Sequence, residues 1–155
     1  MRLLLTGGAG FIGSHTCLSL LEQGYEVIVV DSFINSSEKS LKRVLEILTL
    51  EGKDYSSRLD IKEVDLRDLE GLNNVFENAY KFGKKIDAVI HFAGLKSVSD
   101  SISKPLNYWD VNVGGTINLL QIMNKFDCKS IVFSSSATIY DPEGSDLIDE
   151  FNKIA

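Results

Sequence analysis

The chain is poor in the residues that form staples, chain breaks and metal sites. Its 155 residues hold two cysteines, two prolines, two histidines and one tryptophan. Cys17 and Cys128 lie far apart, in separate apolar segments, so neither a disulfide framework nor a metal site has support, and a reducing, cytoplasmic setting is expected. Basic charge is also scarce: 16 Lys and Arg against 22 Asp and Glu give a formal net charge of -6. A surface for nucleic acid or anionic lipid needs clustered cations, so neither partner is expected. No apolar run approaches the length of a membrane span, and MRLLLTGG offers one basic residue and an apolar run too short for a secretory leader. A soluble protein without repeats or low-complexity tracts is the expectation. With so few prolines, only DPEGSD, Asp141 to Asp146, reads as an exposed loop.

What the chain has instead is alternation. Short apolar runs recur at Leu3 to Leu5, Val27 to Val30, Leu59 to Val64, Ile86 to Phe92 and Ser130 to Phe133. Segments with helical spacing separate them, such as Phe11, Ile12, His15, Leu18 and Leu21, closed by Gly24. Strands that are apolar throughout suit a parallel sheet covered on both faces, and parallel crossovers need roughly a dozen residues or more. The pattern predicts an α/β fold: a doubly wound parallel sheet of five strands with four helices, Rossmann-like, ending after the fifth strand. Asn35 and Glu38 have capping-box spacing, which predicts the start of the second helix near Asn35, with Leu41, Val44, Leu45 and Leu48 on one face.

TGGAGFIG, Thr6 to Gly13, follows the first strand and opens the first helix. A diphosphate is stabilised at a helix N-terminus by unpaired N–H groups and the dipole, provided that no side chain blocks its approach. Gly7 suits the tight turn, Gly10 the close approach of the pyrophosphate, and Gly13 the packing of helix on strand; Phe11 and Ile12 are counted with them as cofactor-binding. The absence of Gly-Lys-Ser/Thr excludes a Walker-type phosphate loop. Asp31 ends the second strand about twenty residues on, where a dinucleotide site places its ribose-binding acid. Its carboxylate would accept from the 2'- and 3'-hydroxyls and repel a 2'-phosphate, which favours NAD over NADP. Ser32, Asn35 and Ser36 add hydroxyl and amide groups beside it, although all four residues would also serve as turn or cap residues. Asp65 and Leu66, closing the third strand, sit where an adenine would rest. His91 and His15 read as core histidines, and Trp109 as a packing residue.

HFAGLK, His91 to Lys96, VNVGGT, Val111 to Thr116, and FSSSATIY, Phe133 to Tyr140, narrow the reading. Together with TGGAGFIGSHT they resemble the extended short-chain dehydrogenase/reductase superfamily, and within it most closely the UDP-glucose 4-epimerase family, over essentially all of the chain to about Tyr140. The resemblance implies an isomerase with tightly held NAD that takes a hydride from C4 of a UDP-hexose and returns it to the opposite face of a 4-keto intermediate, interconverting UDP-glucose and UDP-galactose. It implies that Phe92, Ala93, Gly94 and Lys96 line the cofactor, with Lys96 donating to its ribose or diphosphate. Asn112 would lie behind the nicotinamide half and Ser134 near the cofactor. Ser136 would be catalytic, hydrogen-bonded to the C4 hydroxyl. A homodimer is the assembly it allows; no metal is implied. Ala137 and Thr138 stand where nucleotide-sugar dehydratases carry an Asp-Glu pair, so water elimination is not expected. Asp141 replaces the glycine that usually follows this tyrosine in the family.

The resemblance also implies a tyrosine base with lysine four residues later, on a helix after SSSAT. Among the five tyrosines only Tyr80 has such a lysine, Lys84, and YKFGK lies at a helix end entering the fourth strand, away from the cofactor. Residues 1–155 are therefore expected to form an incomplete NAD-binding domain whose C-terminal substrate domain is absent, inactive alone and a weak binder of NAD. A non-catalytic NAD-binding or interaction protein, and part of a uronate epimerase or decarboxylase, are the alternatives.

Overall fold

The strands form where β-branched and leucine runs can bury both faces. The computed structural model describes residues 1–50, 52, 54–81, 83–136, 139–141, 148–149 and 151–154. Its strands are β1 (Arg2–Thr6), β2 (Glu26–Asp31), β3 (Leu59–Glu63), β4 (Ala88–His91) and β5 (Ser130–Phe133). All pairings are parallel, in the order β3-β2-β1-β4-β5. Successive side chains of a strand point to opposite faces. Leu4, Ile28, Val30 and Val89 accordingly pack on Leu72, Val75 and Phe76 of α3 (Leu69–Lys81) and on Leu119, Ile122 and Met123 of α6 (Gly115–Lys125). The intervening Leu3, Leu5, Val27 and Val29 pack on Cys17 and Leu21 of α1 (Phe11–Glu22) and on Leu41, Val44 and Leu48 of α2 (Glu38–Leu50). Each fully buried leucine adds roughly 1.5–3 kcal/mol, so this two-sided core is what holds the strand tips in place around the site.

The expected five-stranded, doubly wound α/β sheet is the observed one. Gly24 closes α1 with φ +86, as a residue without Cβ permits. Elsewhere the details differ. The second helix begins at Glu38 and not near Asn35; Ser37 caps this end, its Oγ accepting the Lys39 N–H at 3.3 Å. The fourth expected helix is a composite: α4 (Val98–Ser103), α5 (Pro105–Tyr108), a π-helical stretch (Trp109–Gly114) and α6. Pro105 stands at the first position of α5, where its missing N–H costs nothing, and so separates α4 from α5. The π stretch has right-handed helical dihedrals at both ends, so α5 and α6 continue one rod.

Among the described residues β5 has one neighbour, β4, and its Ile131, Val132 and Phe133 are 37%, 63% and 58% exposed. His15 is not a core residue: it lies on the outer side of α1, its Nδ1 2.8 Å from the Phe11 carbonyl. Trp109, expected to pack, is 65% exposed. His91, by contrast, is buried with both ring nitrogens bonded, and both cysteines are buried and free. Among the described residues no helix is long and apolar enough to cross a membrane. Ala137, Thr138 and Pro142 to Asp146 lie outside the described residues.

Candidate functional site

Strand order reverses between β1 and β4, both of which leave the sheet at their carboxyl ends beside α1. Open parallel sheets bind ligands at such a point. A cavity of ≈ 340 Å³ opens there. It is lined by Gly7 and Gly10 from the turn after β1 and Phe11, Ile12 and Gly13 from the start of α1, by Asp31 at the end of β2 with Ser32, Asn35 and Ser36 beyond it, by Asp65 and Leu66 after β3, by Phe92, Ala93, Gly94 and Lys96 after β4, and by Ser134 after β5. Residues scattered over most of the chain are thus brought to one place by five parallel strand ends.

The glycine turn is set by space as well as by dihedrals. Gly7 has φ +66, and a methyl group on it would stand 2.7 Å from the Ala93 nitrogen. A methyl on Gly13 would stand 2.7 Å from Gly8 Cα and overlap the Gly7 carbonyl oxygen. Gly13 therefore lets α1 press on the glycine turn itself, not on a strand as its spacing suggested. The glycine that meets strands is Gly8, whose added Cβ would lie 2.8 Å from Val29 Cγ1. Gly10 has only the Gly7 oxygen nearby, at 3.3 Å, so its outer side is open. First-turn N–H groups have no intrahelical acceptor, and in α1 neither a side-chain cap nor an acidic residue satisfies them. An anion is the partner that this end lacks.

Asp31 is buried and already organises the turn. Its Oδ2 accepts the Ala9 N–H at 3.0 Å, while Oδ1 accepts the Phe33 N–H at 3.0 Å and the Ser36 hydroxyl at 2.8 Å. These bonds hold Phe33 at φ 53, a left-handed conformation that costs a non-glycine residue roughly 1–2 kcal/mol. A carboxylate offers about four lone-pair positions, so one on Oδ2 remains for a hydroxyl in the cavity. Asp65 is held by Arg67, whose Nη2 and Nε donate to it at 2.7 and 3.0 Å. That pairing keeps the Asp65 carboxyl below its usual range and the Arg67 guanidinium above its own. Arg67 also reaches Asp110 at 3.2 Å, tying the β3 end to the π stretch. The Lys96 ammonium is exposed on the cavity wall and makes no ion pair among the described residues.

Two expected site residues fall outside the lining. Asn112 faces the β4 loop instead of the cavity: its Oδ1 accepts the Leu95 N–H at 2.7 Å and its Nδ2 donates to the Leu95 carbonyl at 3.1 Å. Ser136 is exposed beyond β5 and does not line the cavity. Val30, Ile34, Val64, Leu95 and Val111 also line it and were not foreseen. Each lies in or beside a recognised motif: Ile34, Val64 and Leu95 follow a strand, Val30 lies within β2 and Val111 in the π stretch. Tyr80 and Lys84 are remote: Lys84 pairs with Glu26 at 2.7 Å at the start of β2.

A family model described as GDP-mannose 4,6 dehydratase matches residues 4–154. Curated relatives include a UDP-glucose 4-epimerase of Bacillus subtilis, 49% identical over 152 residues that cover 97% of this chain and 41% of the relative. Another is UDP-glucose 4-epimerase 2 of Arabidopsis thaliana, 51% identical over 137 residues, 88% of this chain and 37% of the relative. Among solved structures, UDP-glucose 4-epimerase from Bifidobacterium longum in complex with NAD+ and UDP superposes with a TM-score of 0.84 at 41% identity, over 100% of this chain and 43% of that one. The enzyme from Stenotrophomonas maltophila, with bound NAD and formylated UDP-arabinopyranose, gives 0.83 at 37% identity over 100% and 43%. The chain thus spans about two fifths of the length of the relatives it matches.

Proposed function

The chain belongs to the GDP-mannose 4,6 dehydratase family, and on that premise we propose that it is the NAD-binding portion of a nucleotide-sugar 4-epimerase acting on UDP-glucose and UDP-galactose. One observation carries the reading. The cavity gathers an uncapped helix N-terminus with an open Gly10, a ribose-type acid at Asp31 and, at Lys96, a cation without an ion pair among the described residues, each at the end of a different parallel strand. Those groups match the parts of NAD: diphosphate at the helix, adenosine ribose at Asp31, adenine between Val64, Leu66 and Ile34, and the second ribose or diphosphate near Lys96. The solved relatives at 37% and 41% identity that hold NAD support the assignment.

When bound, NAD supplies a hydride acceptor and donor for C4 of the hexose. The chain's own residues bind and orient. Asp31 selects the 2'-hydroxyl by accepting its hydrogen, and its charge repels a 2'-phosphate. Lys96 offsets anionic charge on the open side. Ser136 is assigned the C4 hydroxyl, which it holds by a hydrogen bond while the proton leaves. Ala137 and Thr138 offer neither a base to take the C5 proton nor an acid to protonate the departing C6 hydroxyl, as dehydration requires, so the epimerase names of the relatives fit this sequence better than the family description. Among the described residues lining the cavity there is neither a tyrosine nor a histidine to take the C4 proton. A polypeptide of these 155 residues alone is therefore expected to turn over no UDP-galactose.

The test is a graft. This chain replaces the matching segment of the Bacillus subtilis relative, and UDP-galactose to UDP-glucose conversion is followed with NAD or NADP. Turnover that needs NAD and is lost in Ser136→Ala supports the proposal. A folded graft that is inactive, or one that prefers NADP, overturns it, as does turnover by the ungrafted chain.

A further inference from the structure

His91 is 2% exposed and lies one residue before the cavity wall formed by Phe92 to Lys96. Its ring bridges two threonines on other elements: Nδ1 is 2.5 Å from Thr6 Oγ1 at the end of β1, and Nε2 is 2.9 Å from Thr116 Oγ1 in α6. Hydrogen counting fixes every direction in this chain. Thr116 Oγ1 lies 2.6 Å from the Asn112 carbonyl, which can only accept, so the single hydroxyl hydrogen of Thr116 goes there. Toward His91, Thr116 can then only accept, and Nε2 must carry a hydrogen. In the neutral ring Nδ1 is left as an acceptor, so Thr6 donates to it, and Thr6 Oγ1 in turn accepts the Ala93 N–H at 3.3 Å. Asn112 closes the circuit by gripping the Leu95 N–H and carbonyl with its side chain. From Ala93 through Thr6, His91 and Thr116 to the Asn112 carbonyl every bond points one way, and the Asn112 side chain then exchanges a reciprocal pair of bonds with Leu95.

We propose that the Thr6, His91 and Thr116 chain is a positioning device for the cavity: it holds His91 as the neutral Nε2–H imidazole and thereby sets the Phe92 to Lys96 wall against the glycine turn. Its consequence for NAD rests on the reading given above. A second proton on Nδ1 would confront the Thr6 hydroxyl with a donor and break the direction of the chain. Burial disfavours that proton, and the nearby Lys96 charge adds to the effect. Among the described residues Lys96 is the one charged group whose field shifts the ring. His91 touches no cofactor in this arrangement and acts through Ala93, Asn112 and Leu95.

The test uses the full chain. Long-range proton-nitrogen NMR of the histidine rings at pH 7 is expected to show one histidine as the neutral Nε2–H tautomer, absent in His91→Phe; an Nδ1–H or doubly protonated His91 overturns the proposal. Thr116→Val removes the acceptor, whereas Thr116→Ser keeps it. The amides of Ala93 and Leu95 are expected to exchange on the order of tenfold faster in Thr116→Val, as for one lost hydrogen bond, and at the parent rate in Thr116→Ser, with Val29 unchanged in both. Equal exchange in all three proteins overturns the proposal. NAD titration should follow the same order. If the parent binds no NAD, the cofactor reading fails, while tautomer and exchange still decide this one.

Discussion

The carboxylate of Asp31 at the end of β2 accepts the backbone N–H of Ala9 across 3.0 Å, so the acid after the second strand and the glycine turn after the first form one hydrogen-bonded unit. Asp31 thus has two tasks, shaping the turn and facing the cavity. Asp31→Asn keeps the shape but removes one acceptor oxygen and the charge. It is expected to lower stability by about 1–3 kcal/mol, the cost of orphaned buried donors, and to shrink the preference for NAD over NADP. Urea unfolding and calorimetric titration with both nucleotides check this; a variant as stable and as selective as the parent refutes it.

Gly13 cannot accept a side chain, because the atoms in the way are the backbone of Gly7 and Gly8. Gly13→Ala should lift α1 off the turn and cost about 1–3 kcal/mol, as overpacking does, and it should abolish NAD binding in whatever fraction remains folded. Gly52 has nothing within 4 Å but a φ of +75, so Gly52→Ala should cost only the backbone term, roughly 1 kcal/mol, and leave NAD binding alone. Comparing the two variants by chemical denaturation and titration separates crowding from dihedral strain.

The lowered proton affinity of His91 gives stability a pH slope of known sign. Its pKa is held below the ordinary 6.5 chiefly by burial. The unfolded chain therefore takes up a proton as pH falls through 6.5 while the folded chain resists, and stability present above pH 6.5 is lost below it. Glu26 and Asp65, whose folded values are lowered from 4.5 and 3.8, act only in more acid solution. Between pH 7.5 and about 5.5 the urea midpoint should fall in the parent more than in His91→Phe, and equal falls would remove His91 as the cause.

Cys17 is fully buried and its thiol is pushed up to about 12 by desolvation; burial raises Cys128 as well. A thiolate-seeking reagent at pH 8 is expected to leave both thiols unmodified over minutes in the folded chain and to titrate both in denaturant. Rapid modification without denaturant would show that the core opens readily, on the α1 side for Cys17 and on the α3 and α6 side for Cys128.

Among the described residues no strand pairs with the outer edge of β5, beside exposed Ile131, Val132 and Phe133. Such edges pair with other chains. Concentration-dependent association is expected in sedimentation, weakened in Val132→Lys, whose side chain lies in solvent and leaves the core untouched. Association unaffected by this change would place the contact elsewhere.

Much of this was legible from residue order. Strand count, parallel alternation and the two-sided core followed from apolar runs such as Val27 to Val30, because burial on both faces tolerates no other residues there. The glycine turn and Asp31 were legible because their jobs depend on the local backbone and on distance from a strand end. Other features depended on neighbours distant in sequence. That Gly13 meets the turn rather than a strand, that Asn112 turns to Leu95 instead of the cavity, and that Trp109 stays exposed are decided by how α1 and the π stretch lie on the sheet. The tautomer of His91 is the clearest case: the sequence supplied a histidine among apolar residues, and only the placement of Thr6 and Thr116, 85 and 25 residues away, decided which nitrogen keeps its hydrogen. Local chemistry is written along the chain, whereas the direction of a buried hydrogen bond is set by which donors and acceptors the packed core brings within 3 Å of one another.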